Sequence, residues 1–195
     1  MVPFVPALNR PRLFVIDRCM LRTLFVSLMV CFSISSFAAD EKFQVSEFSF
    51  TKPAAWKLSD LPPGGMRKAQ LQITDDKTKQ TADVVFFHFG AAQGGDVQAN
   101  VDRWLGQFQE GRDKINAKVE KGSAGSLKIT WVEAEGTYLS GMPGGPKTPM
   151  PNSALRGAII ESEQGNVFAR LTGPRELVKT SAADFKKMIE SAAKK

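Results

Sequence analysis

Alternation of apolar and polar residues is the main pattern along the chain, and it is typical of β-strands. Ala69, Leu71 and Ile73 alternate with polar neighbours, as in a strand with one face in water. Residues 82–89 are apolar on both faces, which predicts a central strand. The Gly-rich residues 122–125 predict a hairpin turn. The predicted strands cover residues 43–50, 68–73, 82–89, 115–119, 127–131, 155–161 and 167–171.

Two segments follow the helical period instead. Asp96 is predicted to cap a helix that ends at Gly111 and has one apolar face, formed by Val97, Val101, Trp104, Leu105 and Phe108. Ser181 and Asp184 predict a capping box at the start of a second helix, whose apolar face is Phe185, Met188, Ile189 and Ala192. Short connections favour antiparallel pairing. We therefore expect residues 39–195 to form a single α+β domain, with a mostly antiparallel sheet of about seven strands flanked by two main helices.

A segment rich in Pro and Gly, residues 141–153, interrupts the strand pattern. Its prolines remove backbone donors, so the segment is predicted to be a long loop. It is either a recognition loop, with Met142 and Met150 as its apolar contacts, or a mobile connection. It does not match a phosphate-binding loop, because Pro146 stands where that loop needs a Gly before its Lys.

The first 38 residues have the order of a secretory signal peptide. Four arginines precede an uncharged run over residues 24–37, and the small residues Ala38 and Ala39 follow it. That run is shorter than the roughly 20 apolar residues that cross a bilayer, so we expect no membrane span after cleavage. The mature chain is predicted to begin at Ala39, with Met20 as a possible true start, and to be periplasmic or secreted.

Removal of these residues changes the charge and the cysteine content. The remaining chain has 22 basic and 19 acidic residues, a net charge of +3 in place of +6 for the whole sequence. This small excess, without a basic cluster, argues against nucleic acid as a partner. Both cysteines lie before residue 39, so disulfides and thiol chemistry are excluded from the mature domain.

Several segments together resemble the PsbP-like proteins, a family named for an extrinsic photosystem subunit. FSFTKPAAW at residues 48–56 is similar to the start of those domains. Residues 100–108, 157–174 and 183–192 are similar to a group of uncharacterised exported bacterial proteins of that kind. The resemblance implies an antiparallel sheet flanked by helices that acts as a binding or assembly module. It transfers no metal-site or docking residue to this chain.

The residues that could carry catalysis are few. His88 is the only histidine and lies in a predicted buried strand, where a structural role is more common than a catalytic one. The sequence has no G-x-S-x-G motif for a nucleophilic serine. Asp75 and Asp76 lack the ligand spacing of a calcium loop. We therefore predict no catalytic residue, no metal site and no cofactor.

Binding is the favoured function. The sequence predicts an exported, non-catalytic binding or assembly domain of unknown partner. The alternative is a carrier of a small apolar ligand in a pocket between sheet and helix, with Trp56 at its mouth. An enzyme that uses carboxylates or arginines is a third possibility. Whether Arg67, Arg103, Arg156 and Arg170 converge on an anion site depends on the fold, and the sequence leaves it open.

Overall fold

A computed structural model describes residues 1, 41–141 and 144–192. The predicted signal peptide, apart from Met1, and Met142 lie outside the described residues. Nine strands and two helices follow one another in the described part of the chain. They are β1 Lys42–Val45, β2 Phe48–Thr51, β3 Lys57–Leu58, β4 Arg67–Thr74, β5 Thr81–His88, α1 Val97–Leu105, β6 Lys118–Ala124, β7 Leu127–Ser140, β8 Thr148–Ile160, β9 Val167–Pro174 and α2 Arg175–Ser191.

Seven of these strands form one sheet in the order β3-β4-β5-β9-β8-β7-β6, and all neighbours are antiparallel. Strands β1 and β2 pair with each other as a separate hairpin. The predicted α+β domain with a mostly antiparallel sheet of about seven strands and two helices is therefore confirmed. Among the described residues, no helix has the length and apolar character needed to cross a membrane.

The larger core lies on the sheet face that α2 and the β1–β2 hairpin cover, here called the α2 face. Helix α2 buries Phe185, Met188 and Ile189 against this face. The hairpin adds Phe50, whose ring lies 4.9 Å from that of Phe86 on β5. Burial of large apolar side chains from three elements fixes the helix and the hairpin on the sheet.

The opposite face, here called the α1 face, is covered only in part. Helix α1 packs Trp104 and Leu105 over β7, β8 and the start of β9, in a second core cluster that includes Ile159 and Phe168. On β4 and β5 the same face carries polar residues that are exposed or half-buried, among them Gln72 and Asp83. This leaves part of the α1 face open to solvent.

Strands β7 Leu127–Ser140 and β8 Thr148–Ile160 are longer than predicted, and two other predicted strands are divided or begin later. Residues 43–50 form the β1–β2 hairpin, because Ser46 adopts a left-handed φ of 55° and turns the chain. Ile115 is fully buried but lies in a turn, and the predicted strand over residues 115–119 begins only at Lys118. Of the alternating residues Ile115, Ala117 and Val119, only Ile115 is buried, and Val119 lies on the exposed edge strand β6.

The predicted start of the second helix is wrong. Helix α2 begins at Arg175, and Ser181 is a buried residue within it rather than an N-cap. Pro174 stands at the N-cap position without a side-chain hydrogen bond, and its lack of an N–H removes no helical bond at this end. The Ser181–Asp184 spacing therefore does not form a capping box.

The predicted loop over residues 141–153 is also corrected. Strand β8 begins at Thr148, which pairs with Ser140, and Pro149 pairs with Leu139. These residues lie beyond the end of β9, since its last residue, Pro174, pairs with Ser153. One edge of β8 is therefore open here, and a proline without an N–H breaks no hydrogen bond on that side. The β7–β8 hairpin extends past the sheet as a two-stranded ribbon.

Candidate functional site

Arg170 is the central residue of the candidate site. Its strand, β9, pairs with β5 and β8 so that Arg170 lies opposite Val85 and Gly157 on the α1 face. The residue is half-buried beside the second core cluster. Burial lowers the pKa of the Arg170 guanidinium, since the charged form loses water contacts, although the Tyr138 side chain acts in the opposite direction.

Gln107 holds this guanidinium in place. Arg170 donates from Nη1 to Oε1 of Gln107 at 2.6 Å, and the Tyr138 hydroxyl donates to the same oxygen at 2.9 Å. The Tyr138 ring also lies under the guanidinium, with its centroid 6.0 Å from Cζ. Arg170 Nε is buried and has no hydrogen-bond partner among the described residues. The guanidinium is thus held by a neutral acceptor and an aromatic ring.

Local structure explains how Gln107 and Tyr138 meet. After α1 ends at Leu105, the chain runs beside β7, where Leu139 donates from its backbone N–H to the Gln107 carbonyl at 2.7 Å. Phe108 and Tyr138 form a β-bridge, and their rings contact edge to face. The exit from α1 is therefore anchored to the β7–β8 hairpin, which positions both partners of Arg170.

Two further arginines lie near Arg170. Arg103, in the last turn of α1, and Arg67, at the start of β4, both lower the pKa of Arg170 through like-charge repulsion. Arg103 donates to the Asn100 side chain, and Arg67 donates to Gln70 Oε1 at 2.9 Å. Arg67, Arg103, Arg170, Gln107 and Tyr138 are called the arginine face below.

The arginine face has no paired carboxylate in the described part of the chain. The ion pairs that arginines form there belong to Arg112, Arg156 and Arg175. The acid of the open sheet face, Asp83, accepts a long 3.5 Å hydrogen bond from Gln70 and forms no such ion pair. A partly desolvated guanidinium is costly unless it is paired, so the site favours an anion from outside the domain.

Arg156 is not part of the arginine face. Arg156 pairs with Leu171, a core residue of the α2 face, so its side chain is on the other side of the sheet from Arg170. It forms an ion pair with Glu133. Both line a surface cavity of about 470 Å³ together with Asn116, Ala117, Lys118 and Glu135. Three of the four arginines therefore lie near one another on the α1 face, whereas the charge of Arg156 is paired with that of Glu133.

The other residues predicted for binding are Trp56 and Met150, which lie in different parts of the fold, and Met142, which lies outside the described residues. Trp56 is only 4% exposed and belongs to the larger core. It also lines a surface cavity of about 340 Å³, together with Glu41, Lys52, Ala54, Ala55, Lys57 and Leu58. Met150 is 47% exposed on the ribbon of β8. Its neighbour in the register is Tyr138, so Met150 lies next to a member of the arginine face in the ladder.

His88 has a structural contact. Its Nε2 lies 3.1 Å from the carbonyl oxygen of Gln164, a distance at which a ring N–H donates to that carbonyl. The nearby Ser162 hydroxyl donates to Glu47 instead of to the histidine. Within the described ranges, no group of three His, Cys, Asp or Glu side chains is placed to hold a metal ion.

Neither Gln107 nor Tyr138 lies in a sequence pattern that predicts a binding role. Gln107 follows the last turn of a helix, where a polar residue is ordinary. Tyr138 is the only tyrosine of the chain, and that rarity was the one available signal. Their role depends on a contact between residues 31 positions apart, which local patterns do not contain.

Comparisons with known proteins give little more. No family model matches the chain, and no curated protein matches it. A crystal structure from Bacteroides thetaiotaomicron VPI-5482 is similar at 14% sequence identity with a TM-score of 0.41. The match covers 77% of this chain and 46% of the other, so the chain spans about half the length of that protein. Membership of the PsbP-like family stays a prediction.

Proposed function

We propose that this chain is an exported, non-catalytic binding domain whose partner presents an anionic group to the arginine face. The observation that carries the proposal is the half-buried guanidinium of Arg170, which has a neutral hydrogen-bond acceptor and no carboxylate partner in the described residues. The bond from the charged Arg170 to the neutral Gln107 has an ionised donor only, whereas an anionic acceptor adds Coulomb attraction between two opposite charges. An incoming anion therefore gains more from Arg170 than Gln107 does.

The position of the arginine face supports this function. It lies at the border between the part of the sheet that α1 covers and the open part on β4 and β5. Exposed Gln72 and half-buried Gln70 on β4 extend a polar surface beside Arg67. A partner seated on this surface would reach Arg170 and Arg103 at its edge, where the positive charges gather.

The carrier of a small apolar ligand receives less support. The cavity beside Trp56 is lined by Glu41, Lys52 and Lys57, and Lys52 forms an ion pair with Glu41 at 3.1 Å. Charged side chains at the rim do not favour an apolar ligand over water. Between α2 and the sheet the space is filled by buried side chains such as Phe185 and Met188.

Photo-crosslinking in the native host tests the proposal. A photoreactive amino acid at exposed Gln72, beside the arginine face, should crosslink a partner, whereas the same residue at Glu120 on the edge strand β6 should not. The crosslink should disappear when Arg170→Gln is added. A crosslink at Gln72 that survives Arg170→Gln, or no crosslink at either position, would contradict this function.

A further inference from the structure

We infer that Oε1 of Gln107 occupies the place of a ligand oxygen, so that the arginine face contains an anion subsite between Arg170 Nη1 and the Tyr138 hydroxyl. This inference rests on the proposed function and specifies the chemistry of its ligand: one carboxylate or phosphate oxygen. It also assigns Gln107 the role of an internal competitor that the ligand displaces.

The geometry of the three side chains supports a single shared oxygen position. Two donors converge on one acceptor, at 2.6 Å from the guanidinium and 2.9 Å from the phenol. Guanidinium nitrogens can only donate, so the side-chain amide of Gln107 must present its oxygen to Arg170. Two convergent donors around one oxygen are the arrangement by which proteins bind an oxyanion.

The amide oxygen of Gln107 is a weaker acceptor for a charged guanidinium than a carboxylate or phosphate oxygen would be. Gln107 is neutral, whereas Arg170 is charged, half-buried and close to the like charges of Arg103 and Arg67. A carboxylate or phosphate at the same point would neutralise part of this positive charge. It would also reduce the repulsion among the three arginines, which Gln107 cannot do.

The Gln107 side chain is also free to leave without unfolding its segment. Its backbone is held by the bond from Leu139 N–H to its carbonyl and by its own N–H, which donates to Trp104 at 3.2 Å. The side chain is half-buried, so a rotation towards solvent exposes the two donors while α1 and β7 stay in place. Gln107 is therefore suited to act as a replaceable cap on the subsite.

Two substitutions at Gln107 give opposite expectations. Gln107→Ala removes the competitor, and binding of inorganic phosphate or acetate should become about fivefold tighter, because one net hydrogen bond no longer has to be broken. Gln107→Glu supplies a carboxylate of nearly the same shape from within the chain. It should pair with Arg170, raise the melting temperature and weaken binding of either anion by at least about tenfold.

Isothermal titration of the full mature chain with inorganic phosphate and, separately, with acetate measures these changes. Gln44→Glu is the matched control, since Gln44 is exposed on the β1–β2 hairpin and the variant adds the same charge away from the α1 face. It should leave both affinities unchanged within about twofold. Stronger binding of one probe identifies the ligand group as phosphate or carboxylate.

The inference and the proposed function fail in different ways. If both Gln107 variants weaken binding, or neither changes it, while Arg170→Gln still abolishes the photo-crosslink, Gln107 is not a competitor but the arginine face still binds. If neither anion binds the unmodified chain, the subsite is overturned. Persistence of the crosslink in Arg170→Gln overturns the proposed function as well.

Discussion

The indole ring of Trp104 lies directly against the Cα of Gly157, in the space that any side chain at that position would occupy. This contact packs α1 against strand β8. Because Arg103 precedes Trp104 and Gln107 follows it by three residues, the contact also sets the position of the arginine face relative to β9.

Substitutions at Trp104 and Gly157 should be strongly coupled. Trp104→Ala should lower the free energy of unfolding by about 3–5 kcal/mol, the usual cost of deleting a buried aromatic side chain. Gly157→Ala should lower it by about 1–3 kcal/mol, because the new methyl group overlaps the Trp104 ring. Gly157→Ala made in the Trp104→Ala variant should cost much less, as urea unfolding of the four proteins would show.

Gly65→Ala is the control for this cycle, since a Cβ there meets atoms only at ordinary contact distances of 3.8 Å or more. It should change stability by less than about 0.5 kcal/mol. Equal losses from Gly157→Ala with and without Trp104 would mean that the ring does not lie over this glycine.

Stability should fall on acidification through Glu47 and Glu110. Burial raises the pKa of Glu47, but hydrogen bonds from Ser162 and Ser46 outweigh it, and the folded-state pKa lies below the ordinary 4.5. Hydrogen bonds from Thr137 lower the pKa of Glu110 in the same direction. Groups with a depressed folded pKa stabilise the fold above their unfolded pKa, so this contribution is lost as pH falls below about 4.5.

Urea midpoints measured from pH 7 to pH 3 check this pH dependence. Glu47→Gln should reduce the loss of stability at acid pH, whereas Glu120→Gln, at an exposed position on β6, should leave it unchanged. If Glu47→Gln loses as much stability between pH 7 and pH 3 as the unmodified protein, the hydrogen bonds of Glu47 contribute nothing to the pH dependence.

Much of the fold could be predicted from local patterns, and its long-range features could not. Alternation identified the buried strands around Leu71 and Phe86, because a sheet with one apolar face imposes that period. The turn at Ser46 was missed because a single left-handed residue leaves no break in the run of aromatic residues. The first turns of α2 were missed because Pro174 supplies no capping side chain.

The candidate site shows the same division. Four arginines were visible in the sequence, but which of them meet depends on strand pairing. Arg156 and Arg170 lie in neighbouring strands with registers that place them on opposite faces. Arg67, Arg103 and Arg170 come from β4, α1 and β9, so only the tertiary structure brings their charges together.

The β7–β8 ribbon should tolerate a shorter connection. Ser140 and Thr148 are paired, so residues 141–147 can be replaced by Asn-Gly without a change of register. We expect a melting temperature within about 4 °C of the unmodified protein. The Leu139 amide should stay protected from hydrogen exchange, because it donates to Gln107, and loss of that protection would show that the removed residues hold the ribbon on α1.

Export makes a separate prediction about the first residues. Cleavage after Ala38 should leave a mature protein that begins at Ala39 and contains no cysteine. N-terminal sequencing of the protein recovered from its native host tests this expectation. An intact Met1 or Met20 in a cytoplasmic fraction would refute export, and the partner would then have to be sought inside the cell.

The most direct test of anion binding at the arginine face is the nuclear magnetic resonance signal of the Arg170 Nε–H group during titration with inorganic phosphate. In the free protein this Nε has no hydrogen-bond partner among the described residues. Arg112, which is exposed and paired with Asp102 at 3.0 Å, is an internal control. If the arginine face binds an anion, the Arg170 signal should shift saturably with little change at Arg112. Equal small shifts of both signals would contradict anion binding at Arg170.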